Sequence, residues 1–277
     1  MSEHRSWISD TWGKLNEQPK TIVDDRSQLI HEESRIPEFI KARRAFLDGV
    51  HLPSGATLLE VGCGPVPYVD VTLEKLGPSG KWIGIDSTHG FVEESREILA
   101  ARGATNGEFI SADARSLPVD DGIADAVIAD KILIHVAPIE QAISEMVRVA
   151  KPGAWLGACD SDSDGLLVHA SDLELTRRIL RYNGDQRASP KACCQTAAAF
   201  HKLGLTNVHR RGFLSVMSDP NEPFVPHIIR HWADRAALAG VVDQEEADRW
   251  YHDAMSQTET NSLMVAFPLI LTFGQKS

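Results

Sequence analysis

The stretch TLLEVGCGPVP, residues 57–67, decides the fold. An apolar run from Ala56 to Val61 carries one acid, Glu60, and then breaks into two glycines one residue apart. This pattern predicts a buried strand that ends in a tight loop, because glycine adopts backbone conformations that other residues avoid. In a parallel α/β sheet, the loop after the first strand lies beside the crevice where cofactors bind. The stretch therefore predicts a cofactor-binding loop.

Two classes of cofactor fit a Gly-x-Gly loop at this place. Gly62 and Gly64 also open the dinucleotide fingerprint G-x-G-x-x-G, but its sixth position is Pro67. That fingerprint points backbone N–H groups at a pyrophosphate, and Pro65 and Pro67 each remove one such donor. The loop therefore favours a cofactor without phosphate, such as S-adenosylmethionine, over NAD.

The same stretch resembles motif I of the class I S-adenosylmethionine-dependent methyltransferases, usually written (D/E)-x-G-x-G-x-G. Glu60, Gly62 and Gly64 match this motif, whereas Val66 occupies the third glycine position. The resemblance implies an α/β Rossmann-like fold with a seven-stranded, mostly parallel sheet and helices on both faces. It also implies that the three matching residues and Cys63 bind S-adenosylmethionine, with S-adenosylhomocysteine as the product. We expect the Val66 side chain to alter the floor of the cofactor pocket slightly.

Acids close the four apolar runs that follow along the chain. They are Asp86, Asp113, Asp130 and Asp160. In a parallel sheet all four strand ends point to one edge, where ligands bind. Asp86, followed by Ser87, lies 24 positions after Gly62, about where nucleotide-binding βαβ units place the acid that accepts the ribose hydroxyls. Since NAD and S-adenosylmethionine both contain this ribose, Asp86 predicts adenosine rather than a particular reaction.

Two further segments extend the resemblance. Residues 113–127 follow the order acid–Ala–x–x–Leu–Pro–turn–x–Asp–Ala–Val, and residues 148–153 read RVAKPG. Both are similar to the ubiquinone/menaquinone-type methyltransferases, also known as methyltransferase type 11. The cofactor contacts that this similarity implies are Asp113 and Ala114 for the adenine, and Asp130 and Lys131 for the methionine tail.

Two residues near the predicted strand ends are candidates for catalysis. Methyl transfer from a sulfonium is an in-line displacement, so the enzyme aligns the reacting groups and, where needed, removes a proton. His135 is the candidate base because imidazole takes a proton near neutral pH, and Asp160 would orient it. Some sugar- and polyketide-modifying members of the family place a His and an Asp in this way, and both positions match. A packed histidine and a solvated loop aspartate remain the alternatives.

Composition restricts the class of substrate. The chain has 28 Lys+Arg against 39 Asp+Glu, a formal charge of −11, and no long basic run. Nucleic acid and anionic membrane surfaces are therefore unfavourable partners. The Asn/Asp-Pro-Pro-Tyr motif of amino-group methylation on bases is absent after the fourth strand. The sequence thus predicts methylation of an O, N or C atom of a small-molecule acceptor, quinone-like or a secondary metabolite.

The cysteines predict reduced thiols and no metal site. They are Cys63, Cys159, Cys193 and Cys194, without a C-x-x-C pair or metal-ligand spacing. The run D-x-D-x-D-G over 160–165 is similar to a calcium loop, but the twelfth position is Ser171 instead of Glu. No signal peptide opens the sequence, and no stretch of about 18 apolar residues occurs. We expect a cytoplasmic protein that does not insert into membranes.

The chain divides into an arm and one large domain. Residues 1–35 are polar and predict an N-terminal helical arm or lid, with a partly ordered arm as the alternative. Residues 36–277 predict the methyltransferase domain, with a helical cap inserted at about 220–260 over the acceptor pocket. The candidate pocket residues are Tyr182, His227, Trp232, Trp250 and Tyr251. The sequence is compatible with a homodimer and does not determine the oligomeric state.

Two other functions fit the same residues. The first is a S-adenosylmethionine-binding protein of this fold that catalyses a reaction without methyl transfer, such as a cyclisation. The second, which the prolines of the loop disfavour, is an NAD-dependent oxidoreductase. Consumption of S-adenosylmethionine distinguishes the predicted methyltransferase from both.

Overall fold

A twisted sheet of eight strands forms the centre of the structure, a computed structural model in which residues 12–277 are described. The strands are β1 (Thr57–Val61), β2 (Lys81–Asp86), β3 (Gly107–Ser111), β4 (Ala124–Asp130), β5 (Ala150–Ser161), β6 (Leu167–Val168), β7 (Thr206–Met217) and β8 (Val265–Gln275). Their order is β3-β2-β1-β4-β5-β8, and both β6 and β7 pair with β8. Strands β1 to β5 are parallel, and the pairings of β8 are antiparallel. The predicted Rossmann-like sheet is confirmed, and the two-residue β6 is an addition to the seven predicted strands.

Helices cover both faces of this sheet. They are α1 (Lys20–Ser34), α2 (Pro37–Gly49), α3 (Val69–Leu76), α4 (His89–Ala101), α5 (Ile139–Val149), α6 (Leu173–Asp185), α7 (Ala192–Lys202), α8 (Phe224–Leu238) and α9 (Gln244–Ser256). Successive side chains of β1 point to opposite faces. Leu58 therefore lies in one core with Phe46 of α2, and Leu59 lies in a second core with Ile143 of α5. Because helices cover both faces, the central strands carry buried apolar side chains on both sides of the sheet.

The segment before residue 36 packs against the domain. Asn16 donates a hydrogen bond to the Ser87 carbonyl at 2.6 Å and accepts one from the His89 N–H at 2.9 Å. Further along, His227 of α8 lies 2.8 Å from a carboxylate oxygen of Glu32. The predicted arm is therefore helical over α1 and contacts both the sheet edge and α8. Its first eleven residues lie outside the described part of the chain.

Helices α8 and α9 lie between β7 and β8, at the place where the sequence predicted a helical insertion. Helix α8 packs against α9, α6 and α1. Asp243 and Glu246 form a capping box that begins α9, so its start is fixed by local chemistry. Within residues 12–277, no helix is both long and apolar enough to cross a membrane.

Candidate active site

A cavity of about 480 Å³ lies at the carboxyl ends of the parallel strands. Its volume is in the range of small-molecule and cofactor sites. Residues of α1 and α8 form part of its wall, so the cavity extends from the sheet edge to the helices above it. The predicted site residues that line it are Glu60, Gly62, Cys63, Gly64, Asp86, Ser87, Asp113, Ala114, Asp130, Lys131 and His135. Asp160 lies outside the lining.

The glycine loop brings its backbone to the cavity surface. Gly62 and Gly64 have φ angles of +68° and +54°, in the left-handed region that favours glycine. A Cβ atom at Gly62 would lie 2.7 Å from the Cβ atom of Ile132, closer than real Cβ atoms approach, and a rotamer change of Ile132 could not relieve this contact. Glycine at position 62 is therefore required by both backbone conformation and close packing.

Val66 shares this left-handed conformation at the third glycine position of the motif. Its φ is +44°, a conformation that is strained for a β-branched residue. The side chain is 1% exposed and belongs to the core that contains Leu58. It does not line the cavity, so the expectation that Val66 alters the pocket floor was wrong. Burial of the valine side chain offsets part of the backbone strain.

Two backbone N–H groups hold the carboxylate of Asp86 at the cavity. Its Oδ2 atom accepts a hydrogen bond from Gly64 at 3.0 Å, and Oδ1 accepts one from Thr88 at 2.8 Å. Burial raises the pKa of Asp86, while these two hydrogen bonds favour the ionised form. Each oxygen retains a further lone pair. The carboxylate is thus oriented and still able to accept hydroxyl hydrogens from a ligand.

Asp113 has a partner that the sequence did not indicate. Arg115 lies 2.6 Å from its Oδ2 atom and also donates to the Ala137 carbonyl at 3.0 Å. The hydrogen bond from Arg115 lowers the pKa of Asp113. The carboxylate is therefore ionised at the cavity rim, next to Ala114. Arg115 joins the β3 edge of the cavity to the segment after His135.

A buried ion cluster lies beneath the glycine loop. Arg43 of α2, with a side chain that is 2% exposed, lies 2.9 Å from Glu60 at the end of β1 and 3.1 Å from Asp130 at the end of β4. Trp82 donates a further hydrogen bond to Glu60 at 3.1 Å. Burial disfavours the charged guanidinium, but the two acids keep the pKa of Arg43 above its ordinary value. Glu60 is thus committed to Arg43 and Trp82, and it supports the loop from below.

Lys131 joins the end of β4 to α1. Its φ is +58°, another left-handed conformation at a residue other than glycine. The ammonium lies 3.0 Å from Glu33 of α1, 3.4 Å from Asp130 and 5.0 Å from the centre of the Tyr68 ring. These acids raise the pKa of Lys131 although burial opposes the charge. The arm thereby supplies a carboxylate to the cavity wall.

Asp160 is linked to His135 through a hydrogen bond to the backbone N–H of the neighbouring residue, Ile134. His135 ends the 3-10 turn Leu133–His135, and its ring centre lies 5.3 Å from that of Trp12. Asp160 is 1% exposed, and its Oδ1 atom accepts a hydrogen bond from the N–H of Ile134 at 3.2 Å. Its Oδ2 atom is buried without a hydrogen-bond partner. Asp160 therefore contacts the turn that carries His135 rather than the imidazole, and burial raises its pKa to about 8.

The far end of the cavity carries a cluster of apolar side chains, with His231 and Arg187 also in the cavity lining. Of the five pocket candidates from the sequence, Trp232 lines the cavity, together with Phe224, Ile228, Phe267 and Leu269. The other four candidates pack elsewhere: Tyr182, His227, Trp250 and Tyr251. The sequence predicted an arm or lid over residues 1–35 but none of the α1 residues that line the cavity, although Leu29 and Glu33 have the spacing of one helix face.

A family model described as a methyltransferase domain matches residues 52–254. The chain belongs to this methyltransferase domain family. The matched range runs from just before β1 into α9, so it contains the glycine loop and the four strand-end acids. The family assignment gives S-adenosylmethionine as the cofactor and confirms the class I methyltransferase resemblance.

Several known proteins are similar to this methyltransferase domain. An uncharacterized 37.1 kDa protein of a Streptomyces fradiae transposon is 34% identical over 144 residues, 52% of this chain and 41% of that protein. Demethylmenaquinone methyltransferase of Listeria monocytogenes is 28% identical over 127 residues, 46% of this chain and 54% of that enzyme. The chain thus spans about half the length of the curated relatives it matches. The YcgJ structure from Bacillus subtilis has a TM-score of 0.57 and 18% identity, covering 83% of this chain and 95% of that chain, and shows the same fold.

The Arg43 cluster generates a stability prediction. Arg43→Met leaves Glu60 buried without a cation and Asp130 with Lys131 alone, so we expect the free energy of unfolding to fall by about 3–5 kcal/mol. The neighbouring Arg44 provides a matched control, since its pair with Glu74 is more than half exposed on both sides. Arg44→Met should change stability by less than about 1 kcal/mol. Urea denaturation of both variants measures the difference, and equal losses would contradict the assigned role of the cluster.

The raised pKa of Asp160 generates a pH prediction. An aspartate in the unfolded chain titrates near 4, whereas Asp160 in the folded protein titrates at about 8. Between these pH values the folded protein holds a proton that the unfolded chain has lost, so stability falls as pH rises. Asp160→Asn keeps the acceptor for Ile134 and cannot ionise. We expect it to be more stable than the wild type at pH 8, on the order of 1–3 kcal/mol, with a smaller gain at pH 5.

Urea denaturation at the two pH values tests this prediction. Asp164→Asn, at an exposed aspartate of the same loop, is the matched control and should show no such pH-dependent gain. A stability difference for Asp160→Asn that is the same at both pH values would show that this carboxyl group does not titrate as described.

Proposed function

We propose that this domain transfers a methyl group from S-adenosylmethionine to an O, N or C atom of a small-molecule acceptor with an apolar or aromatic body. The observation that supports this function best is the continuity of the cavity. One end presents oriented carboxylates and close glycine backbone, and the other end is lined by apolar side chains of α8 and β8. A cofactor and an acceptor can therefore meet inside one cavity.

The sheet-edge end fits S-adenosylmethionine in chemistry and in shape. Asp86 would accept the ribose hydroxyls, and Asp113 with Ala114 would bind the adenine. Gly62 and Gly64 leave room for the backbone to approach the ligand. The methionine tail would lie at the turn of Asp130 and Lys131. Bound there, the cofactor supplies an electrophilic methyl group on a sulfonium.

The opposite end sets the class of acceptor. Phe224, Ile228 and Trp232 of α8 and Phe267 of β8 offer apolar contact to a ring or chain of similar polarity. The demethylmenaquinone methyltransferases that resemble half of this chain support a quinol-like acceptor. The charge of −11 disfavours a nucleic acid as the substrate. We assign the arm, of which residues 12–35 are described, and the insertion at about 220–260 as the cover of the cavity.

His135 would act as the base that removes the acceptor proton. It lies on the cavity wall between the sheet edge and Trp12, and an imidazole changes charge near neutral pH. Asp160 would be a positioning residue, because its hydrogen bond to Ile134 holds the turn that ends at His135. The imidazole would accept a hydroxyl proton as the acceptor oxygen attacks.

Substitution of Asp86 tests the cofactor end. Asp86→Asn removes the charge that accepts the ribose hydroxyls, and hydrogen bonds to charged groups contribute about 1.5–3 kcal/mol. We therefore expect S-adenosylhomocysteine to bind about 10- to 100-fold more weakly in calorimetry. Asp70→Asn is the control, since Asp70 is an exposed acid of α3 paired with Arg102. Unchanged affinity in Asp86→Asn would exclude this carboxylate from cofactor binding.

An assay of turnover tests the reaction. The chain is incubated with S-adenosylmethionine and a panel of hydroquinones, catechols and phenols with apolar substituents. We expect S-adenosylhomocysteine and methylated product in equal amounts. His135→Ala should lower kcat about 10²- to 10⁴-fold, the usual contribution of a positioned base, and should leave the affinity for S-adenosylhomocysteine unchanged.

The same assay identifies the alternatives. His201→Ala, at an exposed histidine of α7, is the matched control and should keep full turnover. Unchanged turnover in His135→Ala would remove His135 from the mechanism. A substrate that is converted without release of S-adenosylhomocysteine would replace methyl transfer by a reaction such as cyclisation.

A further inference from the structure

Two adjacent cysteines and an aspartate converge outside the proposed reaction site. Cys193 and Cys194 lie in the first turn of α7, and Asp162 follows β5. The Sγ atoms are 3.9 Å apart, and Sγ of Cys194 lies 3.7 Å from Oδ2 of Asp162. All three ligand atoms lie within 4.8 Å of one another. The chain therefore brings two sulfurs and one oxygen to a single point.

These separations match the edges of a tetrahedral metal site. Zinc binds thiolate sulfur at about 2.3 Å and carboxylate oxygen at about 2.0–2.2 Å. With tetrahedral angles, two sulfurs then lie about 3.8 Å apart, and a sulfur and an oxygen about 3.6 Å apart. The measured 3.9 and 3.7 Å are within about 0.1 Å of both. The remaining pair, Sγ of Cys193 and Oδ2 of Asp162, lies within 4.8 Å, and a movement of about 1 Å would bring it to the tetrahedral separation.

The surroundings suit a cation held by thiolates. Lys191 contacts the other oxygen of Asp162, Oδ1, at 3.1 Å, so the carboxylate is oriented with Oδ2 on the cysteine side. Lys191 also binds Asp164, which keeps its ammonium away from the sulfurs. Burial and the neighbouring Cys194 raise the pKa of the Cys193 thiol to about 12, so a bound cation would displace the thiol proton as it binds. Cys193 is buried and Cys194 is exposed, which leaves an open side for entry of the metal and for a fourth ligand from water.

We propose that Cys193, Cys194 and Asp162 form a binding site for a thiophilic divalent cation, with Zn²⁺ as the best fit. Two thiolates and one carboxylate select zinc over calcium or magnesium, which prefer oxygen ligands. The sequence predicted no metal site here, because adjacent cysteines lack the usual ligand spacing and Asp162 lies 32 positions before Cys194.

The site would join α7 to the segment that follows β5. Asp162 stands between Ser161 and Ser163, and both serines line the large cavity. A bound cation would therefore fix this part of the cavity wall against α7. The proposal does not depend on the reaction assigned above, because its ligands lie outside the cavity lining.

Cobalt provides a direct probe of this site. The full chain, kept reduced, is titrated with Co²⁺ and followed by visible and near-ultraviolet absorption. We expect one equivalent to give the intense d–d bands of tetrahedral cobalt and a thiolate-to-cobalt charge-transfer band, both abolished by Zn²⁺. Cys194→Ser and Asp162→Asn should weaken binding more than about 100-fold, since loss of a ligand exceeds the effect of losing an outer-shell partner.

The controls separate the site from general thiol or acid binding. Asp164→Asn removes the other acid that binds Lys191 and should keep nearly wild-type affinity. Since Cys194 is exposed, Cys194→Ser should fold normally, and Zn²⁺ should raise the melting temperature of the wild type and not of this variant. Absence of tetrahedral bands in the wild type, or equal binding by Cys194→Ser or Asp162→Asn, would overturn the proposal.

Discussion

The guanidinium of Arg43 holds the ends of the two central strands together. It binds Glu60, two residues before Gly62, and Asp130, immediately before Lys131. These two acids precede the two loops that form the floor of the cavity, so one buried cation fixes the relative position of both. A buried ion cluster costs desolvation, so its net contribution to stability is small even though the loss of one member is strongly destabilising.

The four strand-end acids have different surroundings although they occupy equivalent places in the sheet. Backbone N–H groups orient Asp86, Arg115 pairs with Asp113, and Arg43 binds Asp130. Asp160 is buried with one oxygen unpaired, and it alone of the four has a pKa raised to about 8. Asp86 and Asp113 thus line the cavity, whereas Asp130 binds Arg43 and Asp160 holds the turn that ends at His135.

Local patterns were sufficient to predict the part of the site that lies on the sheet. Glu60, the two glycines and the acids after β2 to β4 are read from single strand-loop segments, and the structure brings them to one cavity. Contacts between segments that are distant in the sequence could not be predicted from such local patterns. The role of Arg43 could not be predicted from its own segment, because its partners Glu60 and Asp130 lie 17 and 87 residues away. Val66 was misplaced because a motif gives the backbone requirement and not the direction of a side chain.

The proposed reaction depends on the assignment of the sheet edge as the cofactor site, and a crystal structure with S-adenosylhomocysteine tests this assignment most directly. We expect the ribose on the Asp86 carboxylate, the amino-acid tail between the glycine loop and Asp130, and the sulfur facing the part of the cavity that His135 shares with the apolar residues of α8. A ligand bound elsewhere, or a ribose that does not contact Asp86, would contradict this assignment.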